Sequence, residues 1–354
     1  MRSGSPFPPQ QATVQPKTWN KALKAKIMQA ARRKPRYLFS SAILNDDMEH
    51  SAMLTRDGIV PQLFRHGFYG YSMSKAANEP PPSSIFSMPL AEVRYHNTTN
   101  FLARGPHSER SAMWSLWFSS LREAAEEAVL REAMSTQYAP VAHEVYILVM
   151  DTHNLSDDNL VLHESDKYLL EDWNSVSEIR DSFLTFGVIP AEAFEMVPLS
   201  VLREHTSYTG ALSSASLAPI DVLNKHDAPR DLAHAIHLAH MFGQAFGPKL
   251  ALPVACIAIT ASAGTHTNDA GSLGKGSTHE AEIAAAFDYY DIPESILKDR
   301  SIVKEKPSIH VSRDTRRGLS LLRIIVKRKQ GILESKARSM LQDQSTDAKA
   351  TDRR

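Results

Sequence analysis

One cysteine, Cys256, stands in 354 residues, which excludes an internal disulfide and any zinc site built on cysteine pairs. Cysteine this scarce makes an intracellular location, cytoplasmic or nuclear, the default expectation. No apolar run approaches the roughly 20 residues that a membrane-spanning helix needs. The longest, LALPVACIAITA at 250–261, reads as a buried strand, although periodicity does not separate that reading from a buried helix. A G-x-S-x-G elbow is missing, so serine-hydrolase chemistry finds no support. Cys256 sits inside the apolar run, where a thiol is inert rather than nucleophilic. The 40 basic and 40 acidic residues balance to zero, which argues against a protein steered as a whole toward polyanions.

That balance hides one local absence. Residues 1–36 contain no acid but carry Arg2, Lys17, Lys21, Lys24, Lys26, Arg32, Arg33, Lys34 and Arg36. Residues 1–34 are therefore expected to form a disordered basic arm, opening on the proline-rich PFPPQQ at 6–11. Within it, Leu23, Ile27 and Ala30 recur at helical spacing between Trp19 and Arg33, a basic amphipathic pattern. Three roles remain open for the arm: a solvated flexible segment, a mitochondrial presequence or nuclear signal, or a contact to nucleic acid or an anionic membrane surface. The lack of acids suits a presequence; the early prolines do not.

The length is about twice that of a typical domain, and the chain divides accordingly. Residues 35–205 are expected to form an α+β domain. PRYLFSS at 35–41 opens a strand with Tyr37 and Phe39 on one face and Arg36, Leu38 and Ser40 on the other. A serine-rich turn runs into LREAAEEAVLREAM, a helix with Leu121, Ala125, Ala128 and Val129 on its apolar side. HEVYILVMD at 143–151 reads as a buried strand, with DSFLTFGVIP at 181–190 as its expected neighbour and an acidic surface excursion between them. The Ser/Ala/Gly-rich stretch at 206–224 is the natural linker. Residues 225–300 should be mainly helical, with one helix opening near Asp227 or Pro229 and closing at Gly243 or Gly247. A second, EAEIAAAFDYY, is expected to be capped by Ser277 with Glu280 in capping-box spacing. Residues 301–354 are expected to be a mostly disordered basic tail that includes LSLLRIIVKRKQGIL at 319–333.

Two patterns imitate functional motifs. GSLGKGST at 271–278 lies between an apolar run and a helix start, but Gly276 follows Lys275 and Asp269 stands where a phosphate-binding loop needs its first glycine. His234, His237 and His240 share about 120° of one helix, with no further ligand in place to close a metal site. No metal is expected.

The segments PRYLFS, WSLWFSSLREAAEEAV, VYILVMDTHNL and FLTFGVIPAEAF together resemble a fungal family of domains of unknown function. That family's members carry P-R-Y-L-F-R, S-W-T-S-S-L, a strand ending in V-D-T, and E-Y-L-x-x-G-x-I-P. The family is similar in layout to ADP-ribosyltransferases, so the resemblance, over roughly 35–205, implies a mixed-sheet fold. It also implies a site made of an Arg, a Ser and a Glu on successive strands. Cleaving the nicotinamide bond of NAD needs a carboxylate near an oxocarbenium-like ribose, an arginine on the pyrophosphate and a serine to position the sugar. Ser119 and Ser120 match the serine pair, and Trp117 the aromatic before it. The arginine position falls on Ser40, with Arg36 about 13 Å away along the strand. The glutamate position falls on Ser182, with Asp181 and Glu178 nearby.

The leading expectation is a non-catalytic binding or interaction module on an ADP-ribosyltransferase-like scaffold, with no cofactor and a protein as the partner class. The alternative is a divergent NAD-dependent transferase or NAD hydrolase using Ser119, Asp181 and Glu178 in catalysis and Ser120, Arg36 and Trp117 in NAD binding. A third possibility is a polyanion-binding protein acting through the basic arm. Each of these residues also has a plain structural use: Ser119 and Ser120 as helix caps, Arg36 as part of the arm, Asp181 and Glu178 as solvated carboxylates, and Trp117 as core.

Overall fold

A computed structural model describes residues 19–44, 52–61, 64, 82–94, 113–138, 144–170, 182–205, 232–263, 276–304 and 310–351. The linker expected at 206–224, the glycine loop up to residue 275, and Asp181 and Glu178 lie outside the described residues.

The chain opens with helix α1 (Lys21–Ala31), whose N-cap Asn20 accepts a hydrogen bond from the Leu23 amide at 2.7 Å. Strands β1 (Tyr37–Ile43), β2 (Ala52–Thr55), β3 (Gly58–Pro61) and β4 (Trp114–Phe118) follow, then helix α2 (Leu121–Tyr138). Next come β5 (Val145–Asp151), β6 (Val161–His163), β7 (Ser182–Phe186), β8 (Ile189–Pro190), β9 (Phe194–Pro198) and the short helix α3 (Leu199–His205). Among the described residues that follow, the elements are helices: α4 (Leu232–Gln244), α5 (Gly247–Ala263), α6 (Gly276–Ala286), α7 (Glu294–Lys298), α8 (Arg300–Lys304) and α9 (Arg313–Thr351).

The α+β expectation holds. Six strands form one antiparallel sheet in the order β6-β7-β4-β1-β5-β9, and β2-β3-β8 form a second. Strand alternation sorts the core. Leu38 and Ala42 of β1, Trp117, Leu148, Met150 and Phe183 pack toward Leu54, Ile59 and Ile189 of the small sheet. Tyr37 and Phe39 point the other way, toward α2 and the C-terminal helices. A third cluster at the β6-β7 end holds Trp114, Leu162, Leu184 and Phe186 against Ile27 and Ala30 of α1.

Several expectations give way to tertiary contacts. The basic stretch before Arg36 is a docked helix in its described part, because Ile27 and Ala30 bury fully enough to join the third cluster. WSLWF is an inner strand between β7 and β1 rather than a turn; its alternation is masked because both faces are covered. The neighbours of β5 are β1 and β9, and β7 pairs instead with β4 and β6. Val161–His163, expected in a surface excursion, is a buried edge strand. LPVACIAITA belongs to helix α5, which tolerates Pro253 and is buried nearly all round. A helix packed on every side loses its period, and so resembles a buried strand in sequence. Ser277 falls inside α6 rather than at its cap.

The largest correction is the tail. Where disorder was expected, the described residues of this stretch carry α8 and the 39-residue α9. Thr315, Leu321, Leu322, Ile325 and Val326 of α9 are buried against the helical layer. One continuous apolar cluster joins β1, β4, β5 and β9 to α2 through α9, so the helices complete the core of the sheet.

Helices α9 and α5 cross closely at Gly318, where an added Cβ would lie 2.6 Å from the Ile257 Cα and 2.9 Å from its nitrogen. Gly318→Val should lower stability by about 1–3 kcal/mol because α9 cannot back away without emptying the cluster. Chemical denaturation of the variant beside Gly331→Ala, where nothing lies within 4 Å of the added Cβ, checks this.

Candidate functional site

Strands β1, β4 and β7 lie side by side, so the three positions singled out by the family resemblance share one part of the sheet. Phe39 pairs with Phe118, and Phe118 with Ser182. Antiparallel partners point to the same face, so Ser182 shares the face of Phe39 and Phe118, while Ser40 points to the opposite one. The arginine and glutamate positions are separated by the thickness of the sheet.

Each of the three serines is engaged. Ser40, 3% exposed, donates to the Leu116 carbonyl at 2.9 Å. The Ser182 hydroxyl donates to the Glu164 carboxylate. Ser119, fully buried, follows the end of β4. Its Oγ accepts from the Ser312 amide at 3.0 Å, and its carbonyl accepts from Ser312 Oγ at 3.1 Å and Thr315 Oγ1 at 2.6 Å. Ser312 in turn accepts from the Thr315 amide at 3.3 Å, the geometry of a helix N-cap on α9. Ser119 thus joins the end of β4 to the start of α9, a contact spanning nearly two hundred residues of chain that no local pattern encodes.

Ser120 caps α2 by accepting from the Glu123 amide at 3.4 Å. Trp117 is 0% exposed in the inter-sheet core, and its indole N–H donates to Ser115 Oγ at 3.0 Å. It therefore presents no stacking surface. Arg36 lies just before β1 and is nearly buried. It donates to Asp151 at 3.2 Å, to Asp299 at 2.5 Å and to Ser301 Oγ at 2.6 Å. Burial opposes its charge, but Tyr37, Asp151 and Asp299 outweigh burial and hold its proton more tightly than on a free arginine. Arg36 is therefore a structural ion-pair centre and not a part of the basic arm.

The acidic partners were not legible in advance. Asp151 ends β5 and also accepts from the His153 amide at 3.0 Å, while Thr152 fastens the same corner by donating to the Pro35 carbonyl at 2.7 Å. The strand ending in D-T was visible as a motif; that its Asp151 shares Arg36 with Asp299 was not. Partial burial pushes the Asp299 carboxyl up, yet hydrogen bonds from Ser301 and Arg36 and the Arg36 charge hold it below the ordinary aspartate range.

Beside Ser182, His163 Nδ1 accepts from the Ser165 amide at 3.2 Å, and the His163 ring stacks on His310 with centroids 4.4 Å apart. Glu164, His163 and His310 were missed because they lie in segments read as loop or tail. Of the helix-borne histidines, His237 is exposed. The His240 ring lies tilted against Tyr290 with centroids 3.9 Å apart, and burial, then the His237 charge, lowers its affinity for a proton. Among the described residues no group of three or more His, Cys, Asp or Glu could hold a metal ion. Cys256 is buried, and burial pushes its thiol above the ordinary value. Among the described residues no helix is long and apolar enough to cross a membrane.

No family model, curated protein or solved structure matches this chain.

Two outcomes follow for the engaged residues. Ser40→Arg places an uncompensated charge between the sheets and should unfold the protein at ordinary temperature, read as loss of the cooperative thermal transition. Asp299→Asn should cost about 2 kcal/mol at neutral pH by leaving the buried Arg36 under-partnered. The Asp299 carboxyl is depressed in the folded state, so its contribution is present above the ordinary aspartate value of about 4 and lost as pH falls through the folded value. The stability gap between wild type and Asp299→Asn should accordingly narrow in acid, as urea titrations across that window would show.

Proposed function

We propose that this chain is a non-catalytic binding or interaction module, built on a scaffold of ADP-ribosyltransferase-like layout and acting inside the cell with a protein partner. The observation that carries this reading is Ser119, the residue that would position a ribose. It is buried, and both its hydroxyl and its carbonyl are occupied by Ser312 and Thr315 at the start of α9. Supporting it, Ser40 and Ser182 replace the charged residues of the family pattern and face opposite sides of the sheet. Trp117 is core and Arg36 is committed to two carboxylates. No pyrophosphate clamp is left on these positions.

One observation favours the alternative, an NAD-dependent transferase or hydrolase: the carboxylate of Glu164 sits against Ser182, the position that lacks one. The polyanion reading rests on α1, whose Lys21, Lys26 and Arg32 remain exposed while its apolar side is docked.

The test is a calorimetric titration of the full chain with NAD, joined to chromatography for released nicotinamide. No binding at millimolar NAD and no nicotinamide is the expected result. Turnover that disappears in Glu164→Gln would overturn the non-catalytic reading and establish the alternative.

A further inference from the structure

The charges of the whole chain balance, yet from Arg313 to Ser339 helix α9 carries nine lysines and arginines against two acids, Asp314 and Glu334. The helix period decides where those cations lie. At about 100° per residue, Thr315, Gly318, Leu322, Ile325 and Val326 face the body and are buried. Arg313, Arg316, Arg317, Arg323, Lys327 and Arg328 fall on the opposite side within an arc of about 140°, and Arg338 continues them. Arg317 and Arg323 are half-buried, and the other five are exposed. Beyond Gln330, which donates to the Leu297 carbonyl at 2.5 Å, positions 333–339 are all exposed. The row from Arg313 to Arg338 is about 37 Å long. Arg122 at the start of α2 adds its charge to those of Arg313 and Arg317 around Asp314. Across a groove lined in part by Leu297, Val303 and Leu333, α8 adds the exposed Arg300 and Lys304. The acids beside this row sit in surface pairs, Asp288 with Arg328 at 2.7 Å, Glu334 with Arg338 at 3.8 Å and Glu294 with Lys298 at 2.8 Å. Such pairs yield readily to a competing anion.

We propose that the outer face of α9 binds the phosphate backbone of a nucleic-acid duplex without reading its sequence. Charge complementarity commits the face to a polyanion, and three further features select a duplex. Six of the seven cations in the row are arginines, whose planar fork meets phosphate oxygens bidentately. A rigid row of about 37 Å spans one turn of duplex, about 34 Å. A single strand is held by stacking its bases on aromatic side chains, and the sequence of α9 contains no Phe, Tyr or Trp. An anionic membrane surface takes up a helix through a free apolar face, whereas the apolar face of α9 is buried in the core. The inference stands on α9 and goes beyond the non-catalytic reading, so NAD titration and duplex titration fail independently.

Fluorescence anisotropy of a labelled DNA duplex of about 20 base pairs and arbitrary sequence, titrated with the full chain from about 50 mM salt upward, tests it. The expected result is an affinity whose logarithm falls linearly with the logarithm of salt concentration, with a slope of about −4, as for four or five phosphates neutralised. Arg313→Glu combined with Lys327→Glu should weaken binding about tenfold or more and flatten the slope. The thermal transition should be retained, because both side chains are exposed. Lys21→Glu with Lys26→Glu on α1 should leave binding unchanged, which separates this face from the basic arm. No binding at about 50 mM salt overturns the proposal, and so does binding that survives the α9 double variant. Binding to phosphatidylserine vesicles in place of the duplex overturns it in favour of a membrane surface. Polyglutamate bound as tightly as the duplex overturns it in favour of an acidic protein.

Discussion

The Arg36 guanidinium holds the N-terminal and C-terminal parts of this protein in one arrangement. It lies at the entry to β1, reaches Asp151 at the end of the neighbouring β5, and bonds to Asp299 and Ser301 between the last short helices. A nearly buried arginine is tolerated when its charge is paired, since an unpaired buried charge is far costlier than an unmade surface contact; Asp151 and Asp299 pair it here, while its buried Nε has no hydrogen-bond partner. The chain from 299 to 301 is therefore drawn against the sheet, and α8 and α9 follow from that point. Surface ion pairs elsewhere, such as Lys298 with Glu294, carry no comparable constraint because water competes for both partners.

A second joint lies at the same end of the sheet, where the end of β4 runs antiparallel beside the start of β1. Ser119 receives the capped start of α9 through three hydrogen bonds, and Thr260 of α5 donates to the Asp314 carbonyl at 2.9 Å. With these polar anchors in place, α9 lies across α5 closely enough that Gly318 admits no side chain. The apolar cluster then closes over the sheet as one body of side chains. Ser119 is a fastening point, its hydroxyl and its carbonyl both taken by the start of α9.

Local patterning revealed a large part of the fold. Tyr37 and Phe39 alternate with Leu38 and Ser40 as a strand between two cores requires, and β5 shows as a continuous apolar run because both its faces are covered. The helix at Leu121–Tyr138 follows from its Ala, Leu and Glu content with a serine cap in front. What failed did so for identifiable reasons. Helix α5 is apolar all round and has no period to read. Trp114–Phe118 alternates between two buried faces, so no polar residue marks its outer side. The stretch at 319–333 mixes Lys and Arg with apolar residues, and what orders it is contact with α5, which lies some sixty residues earlier.

The candidate site divides along the same line. From sequence alone came the compartment expectation from a lone cysteine, the α+β class, the helix that follows Ser119 and Ser120, and the substitution of Ser40 and Ser182 for charged residues. These depend on residue identity and short-range spacing, which one chain displays in full. Only the tertiary structure decided that Ser40 and Ser182 face opposite sides of the sheet, that Ser119 is covered by Ser312 and Thr315, that Arg36 belongs to Asp151 and Asp299, and that α9 outruns the body it packs on. Those facts rest on strand order and on contacts across a hundred residues or more. Chain entropy makes such contacts costly to form, and they persist because burial and charge pairing across the whole fold offset that cost.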